Sequence, residues 1–396
     1  MLAKTLPRIV IVVTLIALLA RAGTPLRAQG GPSGAAISNL NIRSGPGETF
    51  EIITTIPRGT VVAIEARNRP GDWLRVHTGD RSARGWVVTR YLALAEGVTL
   101  DALPVIDSAW MAPIVTTTEE RLALLASEPP DVLIARLNSW PIIPTTIAWR
   151  VQEIFLAGQQ NGMQARAFAK VGDCMTDSEA FLNPFGLGLY DLGPYDELQA
   201  VIDFFSVSPR PEVGLANSFV ADSEAAYTGF NAVSVLDPAW QDPAVCLPNE
   251  GSLACEYRLT RPATAIVLFG AVDIQSLTLE QFDHYLRRVV VETIQQGIIP
   301  VLSTFPSSPD YLWLPSLQFN NLILQLAEEQ ELPLVNLWLA ARSLPNYGLA
   351  PDNHRLSYSG DLFISFNGDE AVWGYTLRNL LTLQVLDLLR REVLTF

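Results

Sequence analysis

The alternation of apolar and polar positions divides the chain into two regimes. Between residues 37 and 94, short alternating runs are separated by Gly and Pro, as in Ile56-Pro57-Arg58-Gly59-Thr60-Val61-Val62, Asp72-Trp73-Leu74-Arg75-Val76 and Gly85-Trp86-Val87. Period-two alternation over so few residues predicts short strands, and the punctuation predicts a small β-barrel. From residue 164 onward, apolar runs alternate with helical periodicity. The runs 165–171, 214–220, 264–269, 298–303 and 334–337 predict five strands. Between the third and fourth, residues 279–296 set Phe282, Tyr285, Leu286, Val289, Val290 and Ile294 at helical spacing, and Gly297 stands where that helix would stop. Phe319, Leu322, Ile323 and Leu326 mark another amphipathic helix, and residues 376–393 a last one. Apolar strands alternating with helices predict a parallel sheet covered on both faces, a three-layer α/β/α domain.

Residues 95–160, between the regimes, carry Pro104, Pro113, Pro129, Pro130, Pro141 and Pro144. Proline at this frequency breaks up long elements and predicts a linker with a helical lead-in, residues 150–160 forming the helix ahead of the first strand. At the start, Lys4 and Arg8 precede an apolar run over residues 9–20 that is short for a bilayer span, with small residues at Ala22 and Ala28. Residues 1–28 therefore read as a targeting segment, either a cleaved signal peptide or an uncleaved anchor, and the chain as exported. No later segment is long and apolar enough to span a membrane. The domain plan is 1–28 signal segment, 37–94 barrel, 95–160 linker and lead-in, and 161–396 α/β domain.

Composition narrows the function classes. The 396 residues, 49% hydrophobic and 17% charged, describe a globular chain with room for a large core. A net charge of −14 argues against nucleic acid, whose binding needs clustered Lys and Arg. Of the three cysteines, Cys246 and Cys255 flank the turn-rich Leu247-Pro248-Asn249-Glu250-Gly251-Ser252 and are placed to close a small disulfide loop. Cys174 is left over, either a reactive thiol or an inert buried one. His77, in the barrel, and His284, in the amphipathic helix, read as surface or packing residues. No cluster has metal-ligand spacing, and no phosphate loop or dinucleotide fingerprint occurs, so no cofactor is expected.

Candidate chemistry falls at predicted strand ends, where parallel α/β sheets place their sites. Gly172-Asp173-Cys174 follows the first strand, Gly270-Ala271-Val272-Asp273 the third, and Asp352-Asn353-His354-Arg355 comes after the fifth. A nucleophile at one strand end, a donor loop at another and a late Asp/His pair make an acyl-transfer constellation.

Two resemblances follow from these words. The stretch 37–94, with Leu40-Asn41-Ile42-Arg43-Ser44-Gly45-Pro46-Gly47, closely resembles the bacterial SH3-like domain of cell-envelope proteins. That resemblance implies a binding module for cell-wall peptide or glycan, in which Trp73, Trp86 and Tyr91 either line a groove or fill the core. Residues 164–393 resemble the SGNH (GDSL-type) hydrolases, which implies a flavodoxin-like sheet and ester or acetyl hydrolysis on an envelope glycan. Carried over position by position, Cys174 stands for the nucleophilic Ser, and Asp352 and His354 for the Asp/His pair. Cys174 N–H and Gly229 N–H, the latter in Tyr227-Thr228-Gly229-Phe230, would be oxyanion donors. Val272 replaces the Asn that completes that hole, and Arg355 occupies the His position, with His354 one residue early. Gly172, Asp173, Gly270 and Asp273 keep the supporting pattern. The departures concentrate on catalytic positions. Losing one oxyanion donor costs about 10²- to 10³-fold, and a disabled triad on the order of 10⁴-fold. The expectation is weak or lost hydrolase activity, with a non-catalytic glycan- or peptide-binding protein as the alternative.

Overall fold

The computed structural model describes residues 31–106, apart from 44, 45, 47–51, 69 and 80–82, and residues 118–395. The expected targeting segment, residues 1–28, lies outside the described residues. The chain divides into two units, Met1–Pro113 and Ile114–Phe396.

The first unit is built on β1 (Ser33–Ala36), β2 (Leu40–Arg43), β3 (Ile52–Ile56), β4 (Val61–Asn68), β5 (Trp73–Thr78), β6 (Arg84–Val88), β7 (Leu92–Leu94) and β8 (Val105–Ile106). They form one sheet in the order β3-β2-β6-β5-β4-β1-β7, antiparallel throughout this path, with β8 pairing parallel to β4. In β4 every second residue is buried, so Val62, Ile64 and Ala66 join Ile42, Leu74, Val76 and Val87 in the core. The β4–β5 turn is held by buried Asn68, whose Oδ1 accepts the N–H groups of Gly71 (3.0 Å) and Trp73 (3.1 Å). Trp73 and Trp86 are buried, whereas Tyr91 is 40% exposed.

The second unit opens with α1 (Thr118–Ser127), α2 (Pro130–Ser139) and α3 (Trp149–Gln160). Leu125, Leu133, Leu137, Val151 and Phe155 from these helices are part of the main core, so the helical lead-in is integral to this unit. The sheet comprises β9 (Gln164–Gly172), β11 (Pro262–Leu268), β12 (Ile299–Ser303) and β13 (Leu334–Val335), all parallel, in the order β13-β12-β11-β9. Every residue of β11 and β12 is buried, as a strand covered on both faces requires. Helix α4 (Cys174–Asp177) follows β9, and α5 (Asn183–Leu187) leads to β10 (Tyr190–Asp191) and α6 (Gln199–Phe205). Helix α7 (Ser252–Thr260) precedes β11, α8 (Leu279–Gln295) connects β11 to β12, and α9 (Trp313–Gln330) connects β12 to β13. Helix α10 (Leu337–Ala340) follows β13, and β14 (Ile364–Ser365), paired with β10, precedes α11 (Gly374–Leu389). Helix α8 begins on a capping box, Thr278 accepting the N–H of Gln281 while the Gln281 side chain accepts that of Thr278.

One expected strand is absent. Residues 214–220 are irregular, because their polar side chains meet the edge of β9 in place of a backbone ladder. Ser218 Oγ accepts the Phe168 N–H at 3.1 Å, and Ser223 Oγ donates to the Lys170 carbonyl at 2.7 Å. Backbone pairing resumes only at Gly172, whose N–H reaches the Ala225 carbonyl (3.0 Å) and whose carbonyl accepts the Tyr227 N–H (3.2 Å). The fifth strand is also shorter than the apolar run, since Asn336 leaves the strand to cap α10.

Candidate functional site

The turn from β9 into α4 is the centre of the site. Gly172 is required by crowding, since a β-carbon there would press on the Leu268 carbonyl and Thr176 Oγ1. Asp173 caps α4, its Oδ1 accepting the Met175 N–H at 2.9 Å. Its carboxyl is completely buried, and that burial raises its pKa to about 6 against the pull of Met175 N–H and Arg378. The turn presents Cys174, half-buried and not disulfide-bonded.

Burial first, and then the Asp173 charge, push the Cys174 thiol up to about 12. At neutral pH its thiolate fraction is therefore roughly 10⁻⁵, against a few per cent for an unperturbed cysteine. The Cys174 Sγ hydrogen bond runs to the backbone carbonyl of His354, at 3.9 Å, and a carbonyl is no base for a thiol. The His354 imidazole packs edge-on against Tyr311, with ring centroids 5.1 Å apart.

Asp352 engages Arg355 and not the imidazole. Its Oδ2 accepts from Arg355 Nε (2.9 Å) and the second guanidinium nitrogen (2.8 Å), while Oδ1 accepts the backbone N–H groups of His354 (3.0 Å) and Arg355 (3.2 Å). Partial burial raises the Asp352 carboxyl, and these hydrogen bonds outweigh it, leaving the group below the usual carboxylate range. Asp352 thus holds the side chain of the residue three positions on, Arg355. The residue placed there is a cation with no acceptor nitrogen.

The remaining sequence candidates surround this turn. Gly229 is exposed, with φ +93° that favours glycine, in a loop tied to α4 by Asp177, whose Oδ2 accepts from Thr228 N (2.8 Å) and Thr228 Oγ1 (2.6 Å). Val272 lies immediately before Asp273 and offers no side-chain donor. Asp273 is buried and joins two loops, Oδ1 accepting the Ala232 N–H and Oδ2 the Gly270 N–H, each at 2.8 Å. Burial raises its carboxyl to about 7, with the Asp173 charge adding to the effect. Cys246 and Cys255 are joined by a disulfide.

One functional neighbour was not singled out from the sequence. Arg378, buried in α11, donates to the Met175 carbonyl (2.6 Å) and Thr176 Oγ1 (3.0 Å) and lies 3.6 Å from the Phe181 ring centroid. Burial lowers its pKa to about 10. The signal was a lone arginine in the apolar run Leu377-Arg378-Asn379-Leu380-Leu381. Its neighbour Asn379 accepts the Leu182 N–H and donates to the Ala180 carbonyl, fixing the chain beyond α4.

Residues 38–93 match the family model of the bacterial SH3 domain. No curated protein matches the chain. Among solved structures, a lipolytic protein of the G-D-S-L family from Desulfitobacterium hafniense is 14% identical, with a TM-score of 0.36, over 56% of this chain and 99% of its own. A lipase/acylhydrolase from Enterococcus faecalis is 16% identical, with a TM-score of 0.35, over 55% of this chain and 94% of its own. An acetylxylan esterase from Geobacillus stearothermophilus is 18% identical, with a TM-score of 0.35, over 56% of this chain and 93% of its own. The chain thus carries a bacterial SH3 domain at residues 38–93, and the solved structures to which it is similar include a lipolytic protein of the G-D-S-L family.

Proposed function

We propose that this chain is an exported cell-envelope protein that binds glycan on an ester-hydrolase-like scaffold whose hydrolytic centre is disabled. The observation that carries this reading is the Asp352–Arg355 pair. A guanidinium stays protonated and cannot take the proton of a nucleophile, so the contact that would orient a base instead neutralises a carboxylate. The raised Cys174 thiol and the apolar Val272 side chain act in the same direction. Ground-state binding survives such losses, because a base and an oxyanion donor act chiefly in the transition state. Export rests on the charged and apolar pattern of residues 1–28, and wall targeting on the SH3 domain, since such domains commonly bind cell-wall material.

The test is hydrolysis of a small acetyl ester by the native chain, by Cys174→Ala, and by a restored triple variant, Cys174→Ser, Val272→Asn and Arg355→His. Native hydrolysis indistinguishable from Cys174→Ala is expected. Activity gained in the triple variant would place the defect in those three groups. A native rate that vanishes with Cys174→Ala would overturn the proposal and make the chain a working esterase.

A further inference from the structure

A concavity adjoins the end of α4 at Asp177. It has a volume of about 620 Å³ and shares Asp177 and Tyr227 with the loops that frame the turn. Three aromatic rings stand along it. Tyr227 and Trp240 are 62% and 60% exposed, and Phe230 is buried between them, with centroids 5.5 Å from Tyr227 and 6.4 Å from Trp240. Exposed rings of this size, backed by a buried third, form a platform with no folding role that would account for their exposure.

The charge around the platform has one sign. Asp222, Glu224 and Asp242 line the concavity, and no Lys or Arg does. The side chains of Asp222 and Glu224 make no hydrogen bond or ion pair among the described residues. Arg210 bears on Glu224 from outside the cleft but is engaged with Glu212 at 3.5 Å, and Lys170, which bears on Asp222, is buried and bonded to Asn183. Partial burial, then the like charges of Asp242 and Asp222, raise the Glu224 carboxyl, a repulsion that a bound cation would relieve.

We infer that this cleft is a subsite for a cationic amino sugar, its ring face stacked on Trp240 and Tyr227 and its ammonium held among Glu224, Asp222 and Asp242. Aromatic faces and carboxylates together select an ammonium over a neutral amide, through the ring quadrupole and Coulomb attraction. An acetylated amino sugar offers the same stacking face without the charge. The inference rests on the glycan-binding reading and names the sugar class that the reading leaves open.

The probes are a fully deacetylated glucosamine oligomer, its N-acetylated counterpart and a lysine-containing peptide of equal charge. Each is titrated calorimetrically against the full chain in mildly acid buffer. Expected is binding of the deacetylated oligomer about 10-fold or more tighter than of the acetylated one, weakening with added salt. Trp240→Ala should abolish that binding, and Glu224→Gln should reduce it by about 3- to 10-fold. Equal affinity for the two oligomers, or no change with Trp240→Ala in a variant whose melting matches the native chain, would overturn the subsite. A peptide bound as tightly as the deacetylated oligomer would overturn the sugar assignment. These outcomes are separate from the esterase test, since Cys174-dependent turnover would refute the disabled centre and leave the cleft's selectivity standing.

Discussion

Replacing Asp273 by Asn should flatten the dependence of stability on pH. The carboxyl is fully buried, and that burial raises its pKa to about 7 in the folded chain, against 3.8 for an aspartate in water. Between those two values the folded state holds a proton that the unfolded state has released. Stability from this group is therefore complete below the unfolded pKa and is lost as pH rises towards the folded one. At 1.36 kcal/mol per unit, the full loss is about 4 kcal/mol, an upper figure because Asp173 and Asp273 influence one another. In Asp273→Asn one of the two loop N–H groups, of Ala232 or Gly270, meets an amide instead of an acceptor, at a cost of about 1–3 kcal/mol. That cost does not vary with pH. Urea unfolding of the native chain and the variant, followed by near-ultraviolet circular dichroism with the disulfide intact, should be compared between roughly pH 4.5 and 7.5. The native chain should lose about 2–4 kcal/mol relative to the variant across that range. The SH3 domain is common to both chains and cancels. Parallel curves would refute the reasoning, because they would mean that the carboxyl is already ionised in the folded state.

The thiol and the buried cation lead to further expectations. Alkylation of Cys174 by iodoacetamide near neutral pH should be at least about 10²-fold slower in the native chain than in urea, because thiolate is scarce; equal rates would contradict the raised thiol. Arg378→Met should destabilise by about 2–5 kcal/mol, through the Met175 carbonyl and Thr176 hydroxyl left without their donor, and a change under 1 kcal/mol would show that Arg378 does not support the turn. Replacing Cys246 and Cys255 with Ser should lower stability by about 2–3 kcal/mol, as expected for a loop of this length, and unaltered urea unfolding would remove the disulfide from the account.

Much of the scaffold was legible because burial on both faces leaves a plain trace. The runs at β11 and β12 are buried throughout and lack alternation, and β9, β11 and β12 each lie within a residue or two of the predicted place. Residues 214–220 show where such reading stops. Phe219 and Val220 look like strand, but Asn217 and Ser218 side chains take over the bonding that a ladder would supply, and side-chain competition of this kind has no periodic signature. At the site, Gly172-Asp173-Cys174 was legible as a turn and Asp352 to Arg355 as a spacing. The direction of the His354 ring was not, since it is set by Tyr311, a partner remote in sequence. The role of Arg378 was hidden for a related reason, as a single charge in an apolar helix shows no target until the helix is docked.

The hydroxyl cover along β9 also bears on how the chain behaves in company. An open strand edge can recruit an extended segment of another molecule, the first step of edge-to-edge association. Here one edge of the parallel sheet is β13, with only two residues, and at the other Ser218 and Ser223 answer two of the groups that a foreign strand would need. Both margins are thereby closed to templating. At the far end of the same margin, the bonds between Gly172 and residues 225 and 227 hold the chain that continues into Gly229. The segment that keeps this sheet solitary is the segment that frames its cleft.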